Sequence, residues 1–220
     1  MSIGQIEKET TFREPGLIRV HNIHLRLFEN EFEIKDRKSN FRLRFDQILA
    51  MSSATVSNYC NGVPQGVVHV LKLWPKATAN CDPVEFLLQQ FPEKLDRPRV
   101  WGIPVPFSAT HANPDNDPVF DELVARLAYQ LSLQMIENVD KQGFTPWVPQ
   151  VKLTKREILF SPKNQPELSC RFDEIETSDI TDGQWQITAP NSPLKDLQIG
   201  TGSINFQPGL KVFEVLRSLT

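Results

Sequence analysis

The chain has 220 residues and a mass of 25.2 kDa, which allows one large domain or two small ones at about 100–200 residues per domain. Hydrophobic residues make up 40% of the chain and charged residues 23%, values that are typical of a globular protein able to bury a core. The net charge of −3 provides no overall positive field, so we predict no nucleic-acid partner.

The cysteine content and the N-terminus indicate a cytoplasmic protein. Cys60, Cys81 and Cys170 are odd in number and form no CxxC pair, which argues against a disulfide framework or a cysteine-rich zinc site. The N-terminal residues lack the apolar core of a signal peptide, and no run reaches the ~18 apolar residues of a membrane span.

The first segment, residues 14–92, is predicted to contain strands followed by one helix. Apolar and polar residues alternate, as in a sheet with one buried and one solvated face. This pattern covers residues 23–28, 32–34, 41–45 and 67–74. Asp82 and Pro83 favour a helix start, and the following apolar residues recur at helical spacing, which predicts a helix that ends before Pro92. Its apolar stripe is Val84, Leu87, Leu88 and Phe91.

Residues 93–146 form a connector of a different kind, in which an irregular proline-rich stretch precedes the most regular helical pattern of the chain. Asp117 and Pro118 favour a helix start and Gly143 its end, so we predict a helix over residues 118–142. Its apolar stripe is Phe120, Val124, Leu127, Leu131 and Met135. We expect this stripe to dock on the flanking segments and bridge them, or alternatively to form the seam of a homodimer.

The last segment, residues 147–220, has the same order of strands and then a helix. The predicted strands are residues 151–153, 158–160, 168–172, 184–188 and 197–199. Beyond Pro208 and Gly209, apolar residues at helical spacing predict a C-terminal helix. They are Val212, Val215, Leu216 and Leu219.

The two outer segments are interpreted as an internal duplication. Residues 44–48 (RFDQI) match residues 171–175 (RFDEI) at four of five positions, 127 residues further along the chain. The two terminal helical stripes and a charged turn near residues 29–32 and 155–158 repeat at nearly the same spacing. The alternative is two unrelated α+β segments of similar layout.

This layout resembles the pleckstrin-homology (PH) superfold, in which antiparallel strands are closed by a final helix. The resemblance is carried by residues 153–160, by 171–175, and by 202–210 leading into 212–219. Two such units around a helix are similar to a PH-like family of bacterial proteins of unknown function. The resemblance implies an α+β fold with two bent antiparallel sheets, at residues 14–92 and 147–220, each capped by a C-terminal helix and bridged by the long helix.

The first hairpin offers a candidate binding site for an anionic lipid or another phosphate ligand. Five cations fall within ten residues, namely Lys35, Arg37, Lys38, Arg42 and Arg44. Alternate residues share one face of a strand, so Arg42 and Arg44 could converge on a phosphate. The resemblance supports this hypothesis, because PH domains that bind phosphoinositides carry a similar basic pattern there. The alternative is a solvated strand face that needs no ligand.

The remaining sequence motifs indicate no catalytic, metal or cofactor site. Nothing matches GxSxG, HExxH, a P-loop or GxGxxG. The acidic run at residues 111–122 could bind a cation, but helix capping explains it with fewer assumptions. We therefore predict a non-enzymatic cytoplasmic binding or scaffolding module with a protein or peptide partner and no cofactor. The alternatives are anionic-lipid binding at residues 35–44, which would bring the protein to a membrane surface, and an enzyme with an unrecognised site.

Overall fold

The computed structural model describes residues 5–13, 22–60, 63–76, 83–90, 99–100, 103–104 and 117–220; within these ranges, only the backbone is described for residues 57–60, 63–66, 99–100 and 103–104. The described part is an α+β fold of sixteen strands and two α-helices. The strand pairs with a defined register are antiparallel.

The first half of the chain forms a seven-stranded sheet. Its strands are β1 (Lys8–Arg13), β2 (Asn22–Leu27), β3 (Glu31–Lys35), β4 (Asn40–Arg44), β5 (Ile48–Cys60), β6 (Val63–Pro75) and β7 (Val84–Gln90). A 3-10 turn at Phe45–Gln47 separates β4 from β5. The order across the sheet is β4-β3-β2-β1-β7-β6-β5, so β7 lies between the first and the sixth strand. Two short strands follow, β8 (Arg99–Val100) and β9 (Ile103–Pro104).

The helix predicted over residues 84–91 is wrong, because residues 84–90 form strand β7. Val84, Phe86 and Leu88 are less exposed than Glu85 and Leu87, which is the period of two of a strand. The same apolar residues fit both the spacing of a helix and the alternation of a strand. Pairing with neighbouring strands favours the strand. The predicted N-cap Asp82 and the last stripe residue Phe91 lie outside the described residues.

The second half forms a four-stranded sheet, a three-stranded sheet and a final helix. The first sheet contains β10 (Phe144–Pro146), β11 (Val151–Thr154), β12 (Glu157–Phe160) and β13 (Leu168–Arg171). A 3-10 turn at Phe172–Glu174 leads to β14 (Thr177–Thr181), β15 (Gln184–Thr188) and β16 (Asp196–Gly200), and α2 (Phe206–Ser218) ends the chain. The sequence predicted five of these seven strands and the C-terminal helix; β10 and β14 were not predicted.

The long helix was predicted with its correct bounds. Helix α1 covers Pro118–Gln142, and Asp117 caps it by accepting hydrogen bonds from the backbone N–H groups of Val119 (2.9 Å) and Phe120 (3.0 Å). It follows four strands, a 3-10 turn and further strands, an order that the second half repeats except for the short strands β8 and β9. With residues 84–90 in a strand, α1 is the helix that follows the first set of seven strands.

Two compact units divide the chain, and unit 2 contains part of both halves. Unit 1 comprises Met1–Arg44, Ala54–Lys72 and Glu85–Val124, and unit 2 comprises Phe45–Ser53, Leu73–Val84 and Ala125–Thr220. Helix α1 therefore begins in unit 1 and ends in unit 2. The long strands β5 and β6 also contribute residues to both units.

The apolar stripe of α1 is buried throughout. In unit 1, the ring of Phe120 contacts Phe12 and His69; in unit 2, Met135 and Val139 belong to the hydrophobic core. The remaining stripe residues, Val124, Leu127 and Leu131, are also buried. The stripe is thus buried within the chain, as the first of the two alternatives predicts, and a homodimer through residues 118–142 stays a prediction.

Candidate functional site

The basic hairpin has its lysines at the turn between β3 and β4. Lys35 ends β3, and Arg37 and Lys38 occupy the turn; all three side chains are exposed. Asp36 shapes this turn by accepting hydrogen bonds from the backbone N–H groups of Lys38 and Ser39, at 2.6 Å each. These hydrogen bonds lower the pKa of Asp36, so the turn keeps one carboxylate among its three cations.

The two arginines of the hairpin lie among carboxylates. Across the β3–β4 pair, Arg42 is opposite Glu33 and Arg44 is opposite Glu31. The Arg42 guanidinium hydrogen-bonds the Glu31 carboxylate, which raises the pKa of Arg42, and it stacks 4.6 Å from the centre of the Phe28 ring. Arg42 therefore already has an anionic partner within the sheet.

The same sheet face continues as an alternation of acids and bases. Arg26 on β2 binds Glu9 on β1 at 3.0 Å and Glu33 on β3 at 3.2 Å. Glu33 also accepts a hydrogen bond from the Asn40 amide at 3.3 Å. The structure thus groups Lys35, Arg37 and Lys38 at the turn and separates them from the arginines of the strand face.

Arg171 occupies the position that corresponds to Arg44 in the repeated RFDxI sequence. Its guanidinium makes two hydrogen bonds to the adjacent Asp173 carboxylate, at 3.0 and 2.7 Å. This ion pair with a nearby carboxylate gives Arg171 an anionic partner within its own turn, which favours a structural role for this arginine.

His69 is a fully buried titratable residue outside the hairpin. It is 0% exposed, hydrogen-bonds Thr55 (3.1 Å) and Gln90 (3.3 Å) through its two ring nitrogens, and stacks on Phe120 at 4.4 Å. Burial lowers the pKa of His69, which favours the neutral ring. Both ring nitrogens have partners, so this histidine packs within unit 1 and has no free nitrogen for proton transfer.

The cysteines and carboxylates form no reactive cluster in the described part of the chain. Burial raises the pKa of the Cys170 thiol, which disfavours the nucleophilic thiolate. Only the backbone of Cys60 is described, and Cys81 lies outside the described residues. Among described residues, no three His, Cys, Asp or Glu side chains come together as metal ligands; residues 111–116 of the acidic run lie outside them.

Neither α1 nor α2, the helices described, has the length and apolarity needed to cross a membrane.

Strand β14 has an open edge that the sequence analysis did not identify. Among the described residues, β14 pairs with β15 alone, and its other edge has no strand beside it. The signal that could have revealed it is Asp182-Gly183: both residues have positive φ (51° and 72°), which defines the two-residue turn of a tight hairpin. The edge of β13 differs, because Ser192 donates a hydrogen bond to the Ser169 carbonyl of that strand at 2.9 Å.

The hairpin turn fixes which backbone groups of β14 point to the open edge. Thr181 and Gln184 flank the turn and form a hydrogen-bonded pair, and such pairs alternate along antiparallel strands. Ser178 and Ile180 are therefore at non-hydrogen-bonded positions, and their N–H and C=O groups point away from β15. These are the groups that an added strand would bind.

The side chains of β14 divide between an apolar and a polar face. Ile180 pairs with the buried Trp185 but is itself 56% exposed, because no neighbouring strand covers it. The Ser178 hydroxyl accepts a hydrogen bond from the Trp185 indole N–H at 3.0 Å, which fixes the strand on the core. Asp179 faces the opposite, solvated side.

Comparisons with known proteins identify no family for this chain. Neither a protein family model nor a curated protein matches it. Among solved structures, it is similar to a chain in the structure of the Spt16D Pob3N heterodimer, with 13% identity and a TM-score of 0.27 over 90% of this chain and 99% of that one. A similarity this low identifies neither a common fold nor a common partner.

Proposed function

We propose that this protein is a non-enzymatic binding module that holds an extended segment of a partner protein against the open edge of β14. The observation that carries the proposal is the combination of outward-pointing backbone groups at Ser178 and Ile180 with the exposed Ile180 side chain. Backbone hydrogen bonds supply affinity in strand addition, and side-chain contacts supply specificity.

The chemistry of the described side chains favours a binding role over an enzymatic one. His69 has both nitrogens engaged, burial disfavours the Cys170 thiolate, and Arg42 is paired with Glu31. A general base or nucleophile needs a free, suitably ionised group within reach of a substrate. An open strand edge needs none of these groups.

The proposal includes an internal duplication in which each copy has seven strands and a C-terminal helix. It is supported by the RFDxI sequence at the start of each 3-10 turn and by the common order of elements. In this arrangement α1 is the helix of the first copy, and the proline-rich residues of the connector are an insertion before it.

Hydrogen exchange on the intact chain tests strand addition directly. Peptides selected from a random display library would be added, and amide exchange would be followed residue by residue. We expect the N–H groups of Ser178 and Ile180 to gain protection, because they point to the open edge. The N–H groups of Thr177, Asp179 and Thr181 already bond to β15 and should change little.

Two substitutions of Ile180 distinguish edge binding from binding elsewhere. Ile180→Ser removes the apolar contact, and Ile180→Pro also removes an outward N–H group at a position where an edge strand tolerates proline. Both should abolish binding of the selected peptides, whereas Val215→Ser, at a 45% exposed position on α2, should not. Selected peptides that bind all three variants equally would refute the proposal.

Anion binding at the basic hairpin is the second candidate function. It is supported by the grouping of Lys35, Arg37 and Lys38 around one exposed turn. Its ligand would be a phosphate-bearing lipid headgroup, which would bring the protein to a membrane surface.

A further inference from the structure

We infer that the segment bound at β14 is basic, with lysine or arginine alternating with apolar residues. This inference rests on the proposed function, since it names the chemistry of the partner at the same edge. Residues 172–194 contain no lysine or arginine but include five carboxylates, Asp173, Glu174, Glu176, Asp179 and Asp182.

The acidic side chains lie along the open strand. Asp179 is exposed in the middle of β14, and the exposed Glu176 and Asp182 stand just before and just after the strand. Two arginines close to this region are already engaged: Arg171 binds Asp173, and Arg217 of α2 donates to the Ile175 carbonyl at 2.9 Å. The next cation in sequence, the exposed Lys195, directly precedes β16, the strand on the far side of the sheet. The open edge of β14 therefore carries negative charge, and none of the described ion pairs places a lysine or arginine against Glu176, Asp179 or Asp182.

The two faces of β14 determine which types of side chain should alternate along the partner strand. In an added strand, successive side chains alternate between the two faces of the sheet. Residues on the Ile180 face would cover its exposed side chain and should be apolar. Residues on the Asp179 face lie beside a carboxylate and should be cationic.

The same charges exclude a second copy of β14 as the occupant. Pairing two copies edge to edge would bring Glu176, Asp179 and Asp182 of each strand close to the same acids of the other. Like charges opposite one another destabilise strand pairing, and charged residues on an edge commonly prevent self-association. The partner is therefore a different, basic chain.

Three blocked synthetic peptides provide the test on the intact protein. In each, valine alternates with lysine, glutamine or glutamate, and binding is measured by fluorescence anisotropy. We expect the lysine peptide to bind most tightly and the glutamate peptide least. The advantage of lysine over glutamine should shrink as salt approaches about 0.15 M, where the screening length is ~8 Å.

Charge reversal at each edge of the sheet supplies a matched pair of variants. Asp179→Lys should weaken binding of the lysine peptide by about five-fold. A change of this size is typical when one cross-strand charge pair turns from attraction to repulsion. Asp196→Lys makes the same change in net charge on the same solvated face, but on β16 at the far side of the sheet, and should have little effect. Equal losses in the two variants would overturn the inference, since they would indicate attraction to overall charge.

The outcomes also separate this inference from the proposed function. If all three peptides bind equally and none binds the Ile180→Ser variant, strand addition stands and the basic partner is refuted. If no peptide binds and display yields no segment that depends on Ile180, the proposed function itself fails. If the lysine peptide is preferred and depends on both Ile180 and Asp179, both hold.

Discussion

Asn205 satisfies both backbone groups of Met51. Its side-chain oxygen accepts a hydrogen bond from the Met51 N–H at 3.1 Å, and its own N–H donates to the Met51 carbonyl at 2.7 Å. Asn205 precedes α2 with a positive φ of 57°, a conformation that asparagine adopts more readily than most residues. One residue thus starts the final helix of unit 2 and pairs with β5, a strand of the first half.

Replacing Asn205 should destabilise unit 2 through both roles. We expect Asn205→Ala to lower the free energy of unfolding by about 1–3 kcal/mol, since the Met51 N–H loses its partner and alanine strains the left-handed backbone. Asn205→Asp keeps an acceptor and should cost less. Urea unfolding followed by circular dichroism measures both, and equal losses would show that the hydrogen bond to Met51 contributes nothing.

Gly209 is required where α2 crosses Trp147. A Cβ at Gly209 would lie 1.9 Å from Cδ1 of the Trp147 ring, whose N–H donates to the Phe206 carbonyl at 3.0 Å. We expect Gly209→Ala to cost at least about 1–3 kcal/mol and to change the tryptophan fluorescence, because the ring must move.

Gly200 is the matched control for this substitution. A Cβ there would meet only Ser203 Oγ at 3.6 Å, an ordinary contact. Gly200→Ala should therefore leave the fluorescence unchanged, and a similar effect of both substitutions would contradict the role of the Trp147 contact.

Thr145 has a buried hydroxyl with no hydrogen-bond partner among the described residues. Thr145→Val removes this hydroxyl at nearly constant shape, so we expect stability to be unchanged or to increase by about 1 kcal/mol. Thr154→Val should instead destabilise the protein, because the Thr154 hydroxyl accepts from the N–H groups of Arg156 (3.2 Å) and Glu157 (3.1 Å). Thermal unfolding compares the two variants, and the opposite order would refute this interpretation.

The elements that the sequence predicted correctly are those with a strong local pattern. The stripe of α1 repeats over many turns between Asp117 and Gly143, so its bounds follow from sequence alone. Residues 84–90 fit both a helix and a strand, and their place between β1 and β6 depends on distant residues. Local spacing could not resolve that choice.

The candidate sites show the same limit. The cations of the first hairpin are evident in the sequence, but the pairing of Arg42 with Glu31 depends on strand register. Strand β14 was missed because Ile180 is its only strongly apolar residue, so it has no alternation of hydrophobic residues to detect. Its position at an edge follows from the order of strands in the sheet, which the sequence of β14 alone does not reveal.

His69 should make stability depend on pH. Its pKa in the folded protein is lowered by burial below the ordinary value of 6.5, although Asp117 and Asp121 nearby oppose the shift. The unfolded chain therefore binds a proton first as pH falls, so stability should be constant above about pH 7 and decline below about 6.5.

Comparison with His69→Gln isolates this effect. Uptake of one proton changes the free energy of unfolding by at most about 1.4 kcal/mol per pH unit. The variant should lack this contribution of His69 between pH 7 and about 5. Urea unfolding at several pH values measures it. Parallel profiles for the two proteins would show that His69 does not titrate differently in the folded state.

Attachment to acidic vesicles tests the basic hairpin. With Arg42 bound to Glu31, the exposed turn contributes three cations, each worth on the order of 1 kcal/mol at an anionic surface. We expect weak attachment to phosphatidylserine vesicles at low salt that is lost near 0.15 M, where screening acts over ~8 Å. Replacing Lys35, Arg37 and Lys38 by serine should abolish this attachment, whereas Arg42→Ser should leave it unchanged. A loss caused by Arg42→Ser would mean that this guanidinium exchanges Glu31 for the lipid phosphate, and no attachment even at low salt would leave the hairpin a solvated strand face.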